Sequence, residues 1–247
     1  MIQPVILAAG KGTRMKSETP KVLHELLGKT FLRRVFDAIE KTNRFQKPVI
    51  VVGDNEEAIK SAIGSDYRYV RQDVPRGTAH AVRSCEKLLK DLKGSVLVLY
   101  GDHPLTSSES LKRIAEHHEQ NDFDLTFFTA TLTDFEGPRA PFAHYGRIIR
   151  DNKQIRIVEK KDATLEELAI KEVNLGVYCI CSPWVWDALK VVSPRNASGE
   201  YYLTDLVKIA IDQGKKVGTV PVPPEEAMGV NTREDLKIAE QLIRKDR

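Results

Sequence analysis

The apolar run Val5–Ala9 has strand character, and it breaks at once into Gly10-Lys-Gly-Thr-Arg-Met15. This junction constrains the chain more than any other feature. Small residues straight after a buried strand let the backbone approach a ligand, and Gly10 and Gly12 permit positive φ. Successive backbone N–H groups in such a loop can cradle phosphate oxygens. Lys11, Arg14 and Lys21 add positive charge beside it. Two familiar phosphate loops do not fit. A loop of the G-x-x-x-x-G-K-[ST] type would need glycine at Val5 and a hydroxyl at Gly12, and G-x-G-x-x-G fails at Met15. A solvated basic loop is the alternative reading. Its position at a strand end, where open α/β sheets bind ligands, favours the phosphate reading.

The pattern that follows sets the fold class. Strand-like runs at Pro48–Val52, Tyr67–Arg71 and Val96–Tyr100 alternate with helix-like stretches at Thr30–Thr42, Glu56–Ile63, Thr78–Leu92 and Ser107–Gln120. Phe31, Val35, Ala38 and Ile39 share one side of the first helix. This order predicts an α/β fold: a mostly parallel, Rossmann-like sheet with helices on both faces. From residue 125 strand-like runs follow one another, at Leu125–Leu132, Tyr145–Arg150, Ile155–Val158 and Val173–Ile180. They predict antiparallel strands forming a small lobe or an extension of the sheet. Helices at Pro183–Val192, Leu203–Gln213 and Arg233–Arg244 and a strand at Val217–Val222 complete the pattern. Phe135–His144 reads as a flexible loop. No internal repeat or low-complexity segment occurs.

Charge sharpens the loop reading. The formal net charge is +3, too balanced for a wholly basic nucleic-acid binder. Residues 1–34, however, hold seven lysines and arginines against two glutamates. A nucleic-acid surface there would lack interleaved aromatics. No apolar run approaches the roughly 20 residues of a membrane span, and the N-terminus has no signal-like pattern. Three cysteines are too few for a disulfide scaffold. Cys179 and Cys181 share a strand face, and no second Cys or His pair supports a metal reading of C-x-C. A cytoplasmic setting is the default expectation.

Leu7-Ala-Ala-Gly-Lys-Gly-Thr-Arg-Met15 with Pro20-Lys21 resembles the signature of sugar nucleotidyltransferases. Further matches follow in order: Gln72-Asp-Val-Pro-Arg-Gly-Thr-Ala-His80, Tyr100-Gly-Asp-His-Pro-Leu105, Tyr145-Gly-Arg-Ile148, Ile157-Val-Glu-Lys-Lys-Asp-Ala163, Asn174-Leu-Gly176, Gly199-Glu-Tyr-Tyr-Leu-Thr-Asp205 and Gly229-Val-Asn231. The resemblance is closest to the uridylyltransferase domain of the bacterial bifunctional N-acetylglucosamine-1-phosphate uridylyltransferases. Glu159 with Lys-Asp-Ala, and the Gly-Glu-Tyr-Tyr segment, favour that branch.

The resemblance implies UMP transfer from UTP to N-acetylglucosamine 1-phosphate, with UTP and a sugar 1-phosphate as the binding partners. It implies a nucleotide-binding half at 1–122, a sugar-binding half at 123–231 and a C-terminal helix at 232–247. Leu7, Ala8, Ala9, Gly10, Lys11, Gly12, Gln72, Gly77, Thr78, Tyr100 and Gly101 correspond to nucleotide-binding positions. Arg14, Lys21 and Asp102 correspond to catalytic ones, and Asp102 and Asn231 to ligands of Mg²⁺, a cation that prefers oxygen donors. Gly146, Glu159, Asn174, Tyr202 and Thr204 correspond to sugar-binding positions. Ordinary roles remain open for several: core packing for Tyr100, a helix start for Tyr202 and Thr204, and a helix cap for Asn231.

Three departures bear on the acceptor. His103 stands where a small apolar residue is usual, Leu175 replaces a small hydroxyl residue, and the 135–144 loop is longer than expected. The hexapeptide repeats of the bifunctional relatives do not occur, so neither acetyltransfer nor their trimer is carried over. A monomer or weak oligomer is expected. Glucose 1-phosphate or another sugar phosphate as acceptor, dTTP as donor, and a non-catalytic UDP-sugar-binding module are the competing readings.

Overall fold

The computed structural model describes residues 1–151 and 154–245. Residues 152–153 of the expected sugar-binding half and residues 246–247 of the expected C-terminal segment lie outside the described residues. The first half runs β1 (Ile2–Leu7), the short hairpin β2 (Glu25–Leu26) and β3 (Lys29–Thr30), α1 (Phe31–Lys41), β4 (Val49–Val52), α2 (Glu56–Ile63), β5 (Arg68–Arg71), α3 (Thr78–Arg83), α4 (Glu86–Leu89), β6 (Ser95–Tyr100) and α5 (Ser108–Gln120). The second runs β7 (Leu125–Thr131), β8 (Arg147–Asp151), β9 (Gln154–Val158), α6 (Leu165–Leu168), β10 (Glu172–Cys181), α7 (Ser182–Val191), α8 (Asp205–Asp212), β11 (Val217–Pro221) and α9 (Arg233–Lys245).

One sheet has the order β11-β7-β10-β6-β1-β4-β5. Strands β5, β4, β1 and β6 pair in parallel, as do β7 and β11, while β10 is antiparallel to both β6 and β7. The antiparallel region foreseen after residue 125 is therefore mainly an extension of the sheet around β10. The β8–β9 hairpin hangs from β10 through the pair Val173–Arg147. These directions place the site. Parallel β1, β4 and β6 end at one edge, and the reversed β10 begins there, so residues 8–12, 101–103 and 174–176 meet.

Side chains alternate along the strands and fill a core on each face. Ile6, Ile50, Leu97 and Leu99 pack with Phe31, Phe36, Ile59, Leu111 and Ala239 from α1, α2, α5 and α9. Val5, Val51, Val96 and Val98 pack with Val82, Leu89, Val185, Leu206 and the hairpin's Ile148 and Ile157 on the other. Helix starts follow side-chain chemistry. Thr30 accepts from Arg33 N at 3.1 Å and Ser107 from Ser110 N at 3.0 Å, capping donors that a helix leaves unpaired. The expected helix Thr78–Leu92 is two helices. A tight Cys85 N–H to Val82 O bond of 2.9 Å interrupts it while keeping Cys85 buried. The expected loop Phe135–His144 is largely a 3₁₀ turn, Gly137–His144, anchored by buried Phe142.

The C-x-C pair packs as strand residues. Cys179 is buried, Cys181 is half-buried, and both are free thiols. Among the described residues no three His, Cys, Asp or Glu side chains gather as a metal site, and no helix is long and apolar enough to cross a membrane.

Candidate active site

The chain leaves β1 along the sheet edge and is fixed from both sides. Ala8 N–H donates to Val51 O at 2.8 Å, and Gly101 N–H donates to Leu7 O at 3.0 Å. Gly12 then takes φ +62°, and a Cβ there would lie 2.6 Å from the Lys21 Cβ. Glycine is required for the loop to lie against Lys21. Lys21 opens the 3₁₀ turn Lys21–Leu23, held down by buried Val22.

Four polar side chains converge beyond this loop. Lys21 Nζ donates to Asp102 Oδ2 in a very short bond and to Asn231 Oδ1 at 2.9 Å. Arg14 Nη2 donates to the same Asn231 oxygen at 2.8 Å. Burial alone would push the Asp102 carboxyl upward, but Lys21 and His103 beside it hold its pKa below the ordinary value. Burial, with Lys21 adding to it, lowers the His103 pKa against the pull of Asp102. Asn231 does not cap α9. Thr232 Oγ1 accepts from Asp235 N at 3.1 Å and takes that role, freeing the Asn231 amide to face the cations.

The donor set fits a hard divalent cation. Asp102 offers a buried anionic oxygen, Asn231 a neutral one, and both already accept from cationic groups. Two protein oxygens suit Mg²⁺, which keeps waters and substrate phosphates as its other ligands.

On one flank lie Gln72, Gly77, Thr78 and Tyr100. The Gln72 Nε2 donates to Gly77 O at 3.2 Å and pairs with His80 Nδ1 at 3.0 Å. Thr78 Oγ1 accepts from Leu203 N at 3.0 Å. Gly77 has φ +106° and ψ 174°, and a Cβ would sit 2.6 Å from Tyr201 O. Gly77→Ala therefore combines a glycine-only backbone with a clash. It is expected to cost about 1–3 kcal/mol, read as a Tm lower by several degrees, and to weaken nucleotide binding. An unchanged Tm and nucleotide affinity would refute the constraint.

On the other flank lie Gly146, Glu159 and Asn174. Gly146 O accepts from Asn174 N at 2.9 Å. Burial raises the Glu159 pKa; Asp162, Asp205 and Glu200 add to this, while the Thr204 hydroxyl, donating at 3.0 Å, opposes it. A bulge after Asn174 gives Gly176 φ +78°, where a Cβ would lie 2.6 Å from the Tyr100 ring. Backbone and aromatic ring thus meet across the β6–β10 seam.

A single cavity of about 930 Å³ connects both flanks with the charged cluster. Leu7, Ala8, Ala9, Gly10, Arg14, Lys21, Gln72, Gly77, Thr78, Tyr100, Asp102, Gly146, Glu159, Asn174 and Asn231 line it. Lys11, Gly12, Gly101, Tyr202 and Thr204 do not. Lys11 extends to Asp54 at 3.7 Å, and Thr204 acts through Glu159. The earlier departures also find places. Leu175 is fully buried in the core, His103 stacks on Tyr100 at 5.1 Å, and Ala140, Pro141 and His144 form part of the cavity rim. Sequence reasoning assigned no role to Tyr145, which lines the cavity and bonds to the segment carrying Asn231.

Residues 4–166 match the MobA-like NTP transferase domain. The bifunctional protein GlmU of Brevibacillus brevis is 42% identical over 247 residues, covering 99% of this chain and 52% of that protein. GlmU of Clostridium kluyveri is 41% identical over 243 residues, covering 97% and 52%. The chain thus spans about half the length of the curated relatives it matches. Two solved structures share the fold: a putative glucose-1-phosphate thymidylyltransferase from Bacillus anthracis with bound sucrose, at TM-score 0.77 and 20% identity over 99% of this chain and 96% of that one, and a UDP-glucose pyrophosphorylase with bound UDP-glucose, at TM-score 0.75 and 18% identity over 100% of both. A cation-lined loop at the edge of a mostly parallel sheet, matched in fold and in sequence, assigns this chain to the MobA-like NTP transferase family.

Proposed function

We propose that the chain transfers UMP from UTP to N-acetylglucosamine 1-phosphate, releasing pyrophosphate. The observation that carries this is the continuous cavity. It joins an amide-and-glycine flank suited to a base, a cation-and-carboxylate centre suited to phosphates, and a carboxylate-and-amide flank suited to sugar hydroxyls. The identity to GlmU proteins across nearly the whole chain supports N-acetylglucosamine 1-phosphate as the acceptor.

An oxygen of the sugar phosphate attacks the α-phosphorus of UTP. The bond from that phosphorus to the β-phosphate bridging oxygen breaks, and pyrophosphate departs with the electron pair. The nucleophile is already an anion near pH 7, so no side chain must remove a proton. Catalysis then rests on alignment and on stabilising spread negative charge. Arg14 and Lys21 bind the phosphates. The Gln72 amide nitrogen is occupied by Gly77 and His80, so its carbonyl oxygen is the atom left to accept the N3–H of uracil. Glu159 and Asn174 orient the sugar. Asp102 and Asn231 would hold Mg²⁺, which when bound supplies positive charge to the phosphate oxygens.

A panel of nucleoside triphosphates and sugar 1-phosphates, read by pyrophosphate release in Mg²⁺, tests the proposal. UTP with N-acetylglucosamine 1-phosphate is expected to give the highest kcat/KM. A preference for glucose 1-phosphate or dTTP overturns the substrate assignment, and UDP-sugar binding without turnover overturns the reaction.

A further inference from the structure

Asn231 follows the 3₁₀ turn Pro224–Ala227 through three residues without regular structure, and Ala227, Met228, Gly229 and Val230 are all buried. Buried backbone groups without a strand or helix need other partners. Val230 N–H donates to Asp102 O at 2.9 Å, and Asn231 N–H donates to Asp235 Oδ2 at 2.9 Å. Met228 N–H donates to Glu225 O at 3.2 Å and Asn231 Nδ2 to Gly229 O at 3.2 Å, and one phenol supplies two further ties. Tyr145 Oη accepts from Gly229 N at 2.6 Å and donates to Ala227 O at 3.1 Å. It holds both ends of a three-residue turn from 82 and 84 positions away.

The surroundings leave this turn little freedom. A Cβ at Gly229 would lie 3.0 Å from His103 Nε2 and 3.2 Å from Tyr145 Oη. The Tyr145 ring lies 6.5 Å from His103 and 5.1 Å from Phe142. On its other side Tyr145 leads directly into Gly146, whose carbonyl pairs with Asn174. One residue therefore touches the strand that carries the sugar flank and the turn that carries Asn231.

We propose that Tyr145 is a positioning residue: its hydroxyl fixes the 227–229 turn and thereby sets Asn231 Oδ1 opposite Asp102 for the divalent cation. This rests on the reading of Asp102 and Asn231 as the metal-holding pair. The hydroxyl gives its one proton to Ala227 O and accepts from Gly229 N, so it has no proton left to donate to a sugar oxygen.

The test is calorimetric titration of UTP into the enzyme, once in EDTA and once in Mn²⁺, which gives the metal-dependent gain in UTP affinity. Tyr145→Phe keeps the ring and removes the two bonds. It is expected to reduce that gain about 10-fold, the lower end of the cost of losing a group that orients a ligand, with UTP affinity in EDTA unchanged. Turnover is expected to fall with the KM for the sugar phosphate within twofold of the parent. Gly229→Ala presses on the same hydroxyl and is expected to reduce the gain likewise. A gain within twofold of the parent in Tyr145→Phe overturns the inference, as does an effect confined to the sugar-phosphate KM. Asp102→Asn is the control for the underlying reading. If it too leaves the gain intact, the metal-holding assignment has failed; if it abolishes the gain and Tyr145→Phe does not, only the role of Tyr145 has.

Discussion

Asp102→Asn is expected to leave the protein folded while lowering kcat on the order of 10³-fold, because several kcal/mol of charge stabilisation depend on its carboxylate. Asp102 follows β6, the strand between β1 and β10, and its carboxylate is almost fully buried. A buried anion survives only when opposite charge compensates it, and here Lys21 does so. Asparagine has nearly the same shape and still accepts from Lys21 Nζ. It lacks the charge that would draw a divalent cation to the sheet edge. Circular dichroism and a Tm within several degrees of the parent would show that folding survives. Near-normal pyrophosphate release in Mg²⁺ would remove Asp102 from the mechanism.

The strand ends were the most legible part of this molecule. Glycine-rich and acidic motifs that terminate buried apolar runs have one available place, the edge where parallel strands finish. Leu7–Gly10 and Asp102 could therefore be put at one sheet edge from order alone, while Gln72 and Asn174 joined them through the family resemblance. Residues acting at one remove were less legible. Lys11, between two glycines, is exposed and lies 3.7 Å from Asp54, outside the cavity lining. Thr204 looked like a cavity wall, but it supports Glu159. The basic block at 1–34 was only partly phosphate-directed. Lys29 and Arg33 pair with Asp37 at 2.7 Å each, and Arg34 donates to Leu26 O. Arg33–Asp37 is an i,i+4 helix pair, and the other two contacts tie α1 to the β2–β3 hairpin. Tyr145 was hidden for a different reason. A phenol bonded to backbone groups 82 and 84 residues away leaves no pattern in side-chain identity.

Lys21→Ala is expected to move two measurements in opposite directions. Turnover should fall on the order of 10²–10³-fold, the usual effect of removing one donor aimed at developing charge. Divalent-cation binding to the nucleotide-free enzyme should instead become tighter. The reason is that Lys21 Nζ bonds to both oxygens that would hold the ion, Asp102 Oδ2 and Asn231 Oδ1, and Arg14 shares the second. An incoming ion must displace a cation already seated on its ligands. A triphosphate offers Lys21 and Arg14 new anionic partners and so releases those oxygens. Nucleotide and metal then favour each other's binding, and such coupling is reciprocal, about 5–150-fold in affinity for ordinary site pairs. Removing the lysine removes the competitor, so Mn²⁺ affinity without nucleotide, read by electron paramagnetic resonance of the free ion, should rise about 10-fold on that scale. The additional gain in Mn²⁺ affinity on adding UTP should shrink in proportion. General damage to the site would weaken metal binding and turnover together. Unchanged or weaker Mn²⁺ binding in Lys21→Ala would therefore mean that Lys21 is a phosphate contact alone and does not guard the metal ligands.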